Sequence, residues 1–165
     1  MGVRKKSHES PQHRYRLMWN DVIYEPGVVK VIAFDDQGKA AAEKTLETAG
    51  KAYQLKLEPD RTVLTANGDD LSFVTVSVVD KNGIFCPTAT NQLKFQVKGS
   101  GSFRAACNGD ATSLEPFHMP TMKLFSGKLV VVVQSSDKEG DMTLKVSGKG
   151  LKSASVNLKS VLNTD

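Results

Sequence analysis

The side chains of this sequence that could hold a metal ion or act in acid–base catalysis are few and scattered. Histidine occurs as His8, His13 and His118, and none has a cysteine, aspartate or glutamate partner at metal-ligand spacing. Glu25 and Glu115 could form an acid–base pair only if the fold brought their carboxyl groups together. Each lies beside a proline in a predicted turn, which favours a structural role. We therefore expect no metal site, no cofactor and no catalytic residue in this chain.

Aromatic and polar side chains are the better candidates for binding a ligand, and the ligand they suit is carbohydrate. Trp19 and Tyr24 each offer a planar ring with a polar end. Asn108 and Asp110, in a long loop, complete the set of candidate carbohydrate-binding residues. The alternative for Trp19 is a place in a core, because it lies in a segment that alternates apolar and polar residues.

A turn-rich loop occupies residues 108–117 and continues to Phe125-Ser-Gly127. Its opening Asn-Gly-Asp is strong turn chemistry, because glycine accepts a positive φ and the flanking side chains hydrogen-bond nearby backbone. Pro116 and Pro120 argue against regular strand pairing within it. The apolar run Leu129–Val133 that follows predicts a central strand covered on both faces.

Length and composition set the limits for the fold. The chain has 165 residues, 39% apolar and 24% charged, which is typical of a globular protein and too short for a (β/α)₈ barrel of about 250 residues. Much of the net charge of +4 lies near the N-terminus, where we expect a disordered basic tail over residues 1–13. No apolar run is long enough to span a membrane, and the first residues lack the apolar core of a secretion signal. We expect no nucleic-acid partner and no membrane span.

Periodicity predicts an all-β protein with two parts. Over residues 14–50, alternation at Tyr15–Trp19 and the runs Val28–Phe34 and Ala40–Thr48 predict about three strands, which are too few for an independent domain. Over residues 52–160, seven or so short strands with turns about every ten residues predict a β-sandwich of two layers. No long amphipathic helix is indicated. Cys86 and Cys107 are expected to be half-buried thiols, with a disulfide as the alternative.

Two sets of motifs resemble one enzyme family. The first set is the stretch 14–27 with its Tyr24-Glu-Pro-Gly27 turn, followed by 30–35 and 48–50. It resembles the middle to end of a β-sandwich domain that follows the catalytic barrel in β-galactosidases of glycoside hydrolase family 2. The second set is 69–76, 79–83, the Asn-Gly-Asp to Glu-Pro-Phe loop and Phe125-Ser-Gly127. It is similar to the invasin-like, immunoglobulin-like domain at the C-terminus of those enzymes.

The resemblance implies that this chain lacks the catalytic residues of the family. The catalytic glutamates of that family lie in a barrel upstream, so no residue here inherits a catalytic role. The first domain is expected to be a truncated β-sandwich, cut through its middle, which leaves an apolar strand face without a covering layer. We expect residues 14–50 either to pack onto the second domain or to self-associate through this face. The expected function is a non-catalytic accessory region that braces or positions the absent catalytic barrel. A free-standing sugar-binding or adhesive immunoglobulin-like module is the alternative. The parent enzyme is expected to be periplasmic or extracellular.

Overall fold

The computed structural model describes residues 5–7, 11 and 15–162, which form eleven β-strands and no α-helix. No helix within this described part is therefore long and apolar enough to cross a membrane. The chain divides into two compact units, Met1–Glu47 and Thr48–Asp165. The strands are β1 (Val28–Phe34), β2 (Ala40–Glu47), β3 (Gln54–Pro59), β4 (Val63–Thr65), β5 (Leu71–Val79), β6 (Gln92–Gly99), β7 (Gly101–Cys107), β8 (Thr121–Lys123), β9 (Lys128–Ser135), β10 (Gly140–Gly148) and β11 (Ala154–Val161).

The first unit is built around the antiparallel hairpin of β1 and β2. Its turn is closed by Asp35, whose side-chain Oδ1 accepts hydrogen bonds from the backbone N–H groups of Gln37 (3.0 Å) and Lys39 (2.8 Å). Gly38 takes the positive φ that this turn needs. Every residue of both strands is exposed, although most of β1 is apolar. The hairpin therefore has neither face covered.

The strand predicted at Tyr15–Trp19 is not formed, so the first unit has two strands where about three were expected. Alternation of apolar and polar residues is a signal for one buried face, but a strand also needs a neighbour for its backbone N–H and C=O groups. The basic tail predicted over residues 1–13 lies outside the described residues, apart from residues 5–7 and 11.

The second unit is a β-sandwich of two sheets, and the predicted all-β sandwich is confirmed. One sheet has four strands in the order β3-β5-β9-β7, and the other has five in the order β4-β11-β10-β6-β8. Pairing is antiparallel except between β11 and the short edge strand β4, which run parallel. From β3 to β10, strands adjacent in sequence thus alternate between the two layers, whereas β10 and β11 pair within one sheet.

The core of the second unit lies between the two sheets and is supplied by alternate residues along most strands, although the end of β5 is buried on both faces. The four-stranded sheet supplies Val74, Val76 and Val78, and the five-stranded sheet supplies Leu144 and Val146, all fully buried. Across the layers, the rings of Phe95 and Phe103 stack with centroids 5.7 Å apart. Each buried Val or Leu side chain contributes about 1.5–3 kcal/mol through the removal of apolar surface from water.

Two local expectations for this unit need correction. Strand β9 does lie inside its sheet, between β5 and β7, but only the face carrying Leu129, Val131 and Val133 is buried; Val130 and Val132 on the other face are half-exposed. A two-layer sandwich covers each sheet once, so no strand is covered twice. The loop after residue 108 also contains a strand, because β8 begins directly after Pro120 and pairs with β6.

Candidate functional site

A shallow cavity of about 370 Å³ lies beside the loop that follows β7, and it contains two of the predicted carbohydrate-binding residues, Asn108 and Asp110. The other lining residues come from the same loop, from the strand and turn that follow it, and from the loop before β6: Ser113, Glu115, Lys123, Leu124, Phe125 and Thr90. The cavity therefore combines an amide, two carboxylates, two hydroxyls and a partly exposed aromatic ring. These are groups that can hydrogen-bond and stack on a sugar ring.

Asn108 and Glu115 fasten the loop to the edge strand β8. The side-chain Nδ2 of Asn108 donates to the carbonyl of Lys123 (3.0 Å), and the N–H of Lys123 donates to the two carboxylate oxygens of Glu115 (3.3 and 3.1 Å). Gln92 Nε2 donates to the same carboxylate (3.2 Å). Both backbone groups of Lys123 that point away from the sheet are thereby satisfied by side chains. The conspicuous loop motif thus has a structural role in closing one sheet edge.

Asp110 forms a local turn with Thr112. Its Oδ1 accepts hydrogen bonds from the backbone N–H (2.9 Å) and the hydroxyl (2.7 Å) of Thr112, and its own N–H donates to Asn108 Oδ1 (3.0 Å). These bonds from Thr112 lower the pKa of Asp110 below its ordinary value. The cavity therefore carries an ionised carboxylate at neutral pH.

Phe125 is the cavity residue that the sequence analysis did not single out as a ligand contact. It is 46% exposed and precedes a two-residue turn in which Ser126 (φ 48°) and Gly127 (φ 75°) are both left-handed, as in a type I′ hairpin. Phe125 and Lys128 exchange both backbone hydrogen bonds, at 3.1 and 3.0 Å. The sequence did indicate that Phe125 would be exposed, because an aromatic residue beside a two-residue turn has few neighbours that could bury it.

Trp19 and Tyr24, the other predicted carbohydrate-binding residues, lie in the first unit. Trp19 is half-buried, with the Lys6 ammonium 5.8 Å from its ring centroid, and Lys6 donates a hydrogen bond to the carbonyl of Met18. The indole N–H has no hydrogen-bond partner in the described part of the chain. Tyr24 is 74% exposed. Neither residue lines the loop cavity.

The metal candidates are not grouped within the described residues, and the two catalytic candidates belong to different units. Within residues 5–7, 11 and 15–162, no three histidine, cysteine, aspartate or glutamate side chains are grouped as a metal site requires. His118 is exposed, and His8 and His13 lie outside the described residues. Glu25 lies in the first unit, and Glu115 is held by the β8 backbone. Both cysteines are free thiols; Cys86 is buried and Cys107 is exposed, so neither matches the half-buried expectation.

A buried carboxylate, Asp80, ties the start of the second unit to its sandwich. Its Oδ2 accepts from the N–H of Gly50 (2.7 Å), and its Oδ1 accepts from the N–H groups of Asn82 (2.8 Å) and Ile84 (2.9 Å). The hydrogen bond from Gly50, together with those from the turn, lowers the pKa of Asp80 below its ordinary value of 3.8. Burial, reinforced by the nearby charge of Asp80, raises the pKa of the Cys86 thiol.

The substitution Asp80→Asn is expected to lower the melting temperature by several degrees, because an amide has one acceptor oxygen for three backbone donors. Since the folded pKa of Asp80 is depressed, its contribution to stability is present above about pH 4 and is lost as the pH falls through the lower folded value. Thermal melts followed by circular dichroism between about pH 7 and pH 2 should therefore show a shallower acid limb in the variant. An acid limb equal to that of the unsubstituted chain would contradict this assignment.

Comparison with known proteins places these features in a family. The glycoside hydrolase family 2 C-terminal domain 5 matches residues 55–157, and a domain of unknown function, DUF4982, matches residues 1–42. The chain is 42% identical over 153 residues to beta-galactosidase BoGH2A of Bacteroides ovatus, and 29% identical over 165 residues to a beta-glucuronidase of Formosa agariphila. The alignments cover 93% and 94% of this chain but only 17% and 16% of those enzymes.

A solved structure agrees with these matches. The crystal structure of a glycosyl hydrolase family 2 member from Bacteroides cellulosilyticus superposes with a TM-score of 0.81 at 30% identity, over 85% of this chain and 18% of that one. The resemblance stated from the sequence motifs is thereby confirmed. Because the C-terminal domain model covers more than half of its residues, the chain belongs to the glycoside hydrolase family 2 C-terminal domain 5 family and corresponds to the C-terminal region of family 2 enzymes.

Proposed function

We propose that this chain is a non-catalytic accessory region that braces or positions the catalytic barrel of a family 2 β-galactosidase-like enzyme. The chain matches about one sixth of the length of two relatives that are named as glycosidases. This small share supports a role as one part of a larger enzyme. The residues that the structure describes contain strands only, whereas the barrel requires alternating strands and helices.

The observation that carries this proposal is the uncovered hairpin of the first unit. Val29 and Val31 share one face of it with Leu46, and these side chains are 53%, 48% and 64% exposed. A two-stranded hairpin is marginally stable in water unless another layer covers one face. Contiguous apolar surface of this kind marks an interaction site, and the upstream body of the enzyme is the partner that we propose for it.

The proposal is tested by complementation with a truncated relative. We expect this chain to co-elute with BoGH2A lacking its matched segment, and to raise the melting temperature of that truncated enzyme. The variant Val29→Lys/Val31→Lys should abolish both effects, because it places two charges in the proposed contact face. The control Thr45→Lys/Ala40→Lys adds the same charge to the opposite face of the hairpin and should leave both effects intact.

In the absence of enzyme, the same face is expected to pair two copies of the chain, which light scattering after size exclusion would detect. Failure to co-elute, together with a monomer in both the original chain and the Val29→Lys/Val31→Lys variant, would refute the bracing role.

The second candidate function is a sugar-binding module, and the half-exposed Phe125 beside Asn108 and Asp110 is the observation in its favour. On a glycan array the bracing role expects no retention of the chain. Retention that the substitution Phe125→Ala abolishes would favour the module.

A further inference from the structure

The outer face of the five-stranded sheet is strongly basic. Residues that point away from the core alternate along each strand, and five of these outward positions carry exposed lysines: Lys94, Lys98, Lys123, Lys145 and Lys159. We call this set the lysine face. Asp141 is the single acidic residue at an outward position of these strands.

The strand register draws these lysines together from segments far apart in the sequence. Lys145 of β10 is opposite Gln96 of β6, so it lies diagonally between Lys94 and Lys98, about 7–8 Å from each in a regular sheet. Lys123 of β8 is opposite Gln92 and is a diagonal neighbour of Lys94 in the same way. Lys123, Lys94 and Lys145 therefore follow one oblique line across three strands, and Lys98 lies beside Lys145 off that line.

No ion pair within the described residues includes a lysine of this face, although Asp141 lies opposite Lys159 in the register of β10 and β11. The ion pairs found there join Lys30 to Glu43, Lys56 to Glu58, and Arg61 to Asp60 and Asp70. Like charges at neighbouring positions of a sheet destabilise it, so their accumulation on one face carries a cost to the folded state. An anion bound across the face would remove that repulsion.

Neutral hydrogen-bonding groups fill the positions between the lysines. Gln96, Thr143 and Asn157 are all outward, and the hydroxyl of Thr143 donates to Asn157 Oδ1 (2.9 Å). At one end of the face, a shallow cavity of about 370 Å³ is lined by Lys94 and Lys149. Gln92, Ser147 and Gly148 complete its wall. The surface is thus a polar sheet face with a recess at one end.

The residue types on the lysine face favour an anionic polysaccharide over a nucleic acid as its ligand. Arginine and aromatic residues, which contact phosphates and stack on bases in nucleic-acid sites, are absent from the outward positions of these five strands. Lysine ammonium groups form point-charge contacts without a fixed geometry, and amides and hydroxyls suit sugar hydroxyl groups. We propose that the lysine face binds an anionic polysaccharide through its carboxylate or sulfate groups. This site goes beyond the bracing role and does not depend on it.

The test is affinity electrophoresis of the full chain through gels containing polygalacturonate, heparin or neutral dextran. Polygalacturonate tests carboxylate groups and heparin also tests sulfate groups. Retardation is expected in one or both of the charged gels, is expected to weaken with added salt, and should be absent in dextran. The variant Lys94→Gln/Lys98→Gln/Lys145→Gln should weaken binding about tenfold or more, because it removes the three neighbouring lysines at the centre of the face.

A matched control separates this face from net charge. Lys51→Gln/Lys81→Gln/Lys138→Gln removes three exposed lysines that lie outside the five-stranded sheet, and it should retain wild-type affinity. Equal losses in the two variants, no retardation of the original chain at low salt, or tighter binding to duplex DNA than to either polysaccharide would overturn the proposal. Unchanged melting temperatures in both variants establish that folding is not the cause of any loss.

Discussion

Replacing Gly127 with alanine is expected to lower the free energy of unfolding of the second unit by about 3 kcal/mol, from left-handed strain and overpacking together. Gly127 has φ +75° and is buried, and a Cβ atom there would lie 2.2 Å from the carbonyl oxygen of Cys86. Its N–H donates to Ala89 O (3.0 Å) and its carbonyl accepts from Val78 N–H (3.1 Å), so the turn cannot move away without losing hydrogen bonds.

Gly109→Ala is the matched control for this experiment. Gly109 has nearly the same backbone conformation, with φ +77°, but no atom lies within 4 Å of the position of its Cβ. The free energy of unfolding of the control variant should fall by only about 1 kcal/mol, which is the cost of a left-handed backbone for a residue with a Cβ atom. Urea titrations followed by far-ultraviolet circular dichroism measure both changes, and equal losses would mean that the contact with Cys86 is relieved at little cost.

Replacing Leu144 with alanine is expected to destabilise the second unit by about 2–5 kcal/mol, because it removes a fully buried side chain and leaves a cavity. Leu144 lies on β10, the central strand of its sheet, between Val97 of β6 and Val156 of β11. These flanking residues sit on paired backbones, so the sandwich has little freedom to collapse into the space.

The adjacent Lys145→Ala is the control for the core substitution, since it changes an exposed residue of the same strand and should alter stability by about 0.5 kcal/mol or less. The fluorescence of the single tryptophan, Trp19, would report on the first unit, so circular dichroism is the appropriate signal. A loss below about 1 kcal/mol for Leu144→Ala would show that the site collapses around the smaller side chain.

The strands of the second unit could be predicted from sequence because each one buries a single face, and period-two alternation records that directly. At Tyr15–Trp19 the same pattern predicted a strand that is not formed, since alternation does not reveal whether a neighbouring strand is present. The three residues of β8 were missed because prolines precede them and three residues give too short a pattern. Their pairing depends on β6, about thirty residues earlier in the chain.

The candidate sites could likewise be predicted only in part from the sequence. Asn108 and Asp110 could be named from the loop motif, but the attachment of Asn108 to Lys123 is a tertiary contact that local sequence does not encode. The lysine face was not predicted at all. Its members are spread over residues 94–159, and only the strand register places them on one surface.

The side-chain closure of β8 has a consequence for synthesis of a long polypeptide. Successive β domains on one chain can exchange strands while they are synthesised and fold, because the unpaired edge of a partly folded sheet can pair with any extended segment nearby. Here Asn108 and Glu115 occupy the outward backbone groups of Lys123 from within the same loop. A newly made neighbour therefore cannot pair with β8 at Lys123, and this edge of the five-stranded sheet is protected from strand exchange while the polypeptide is being made.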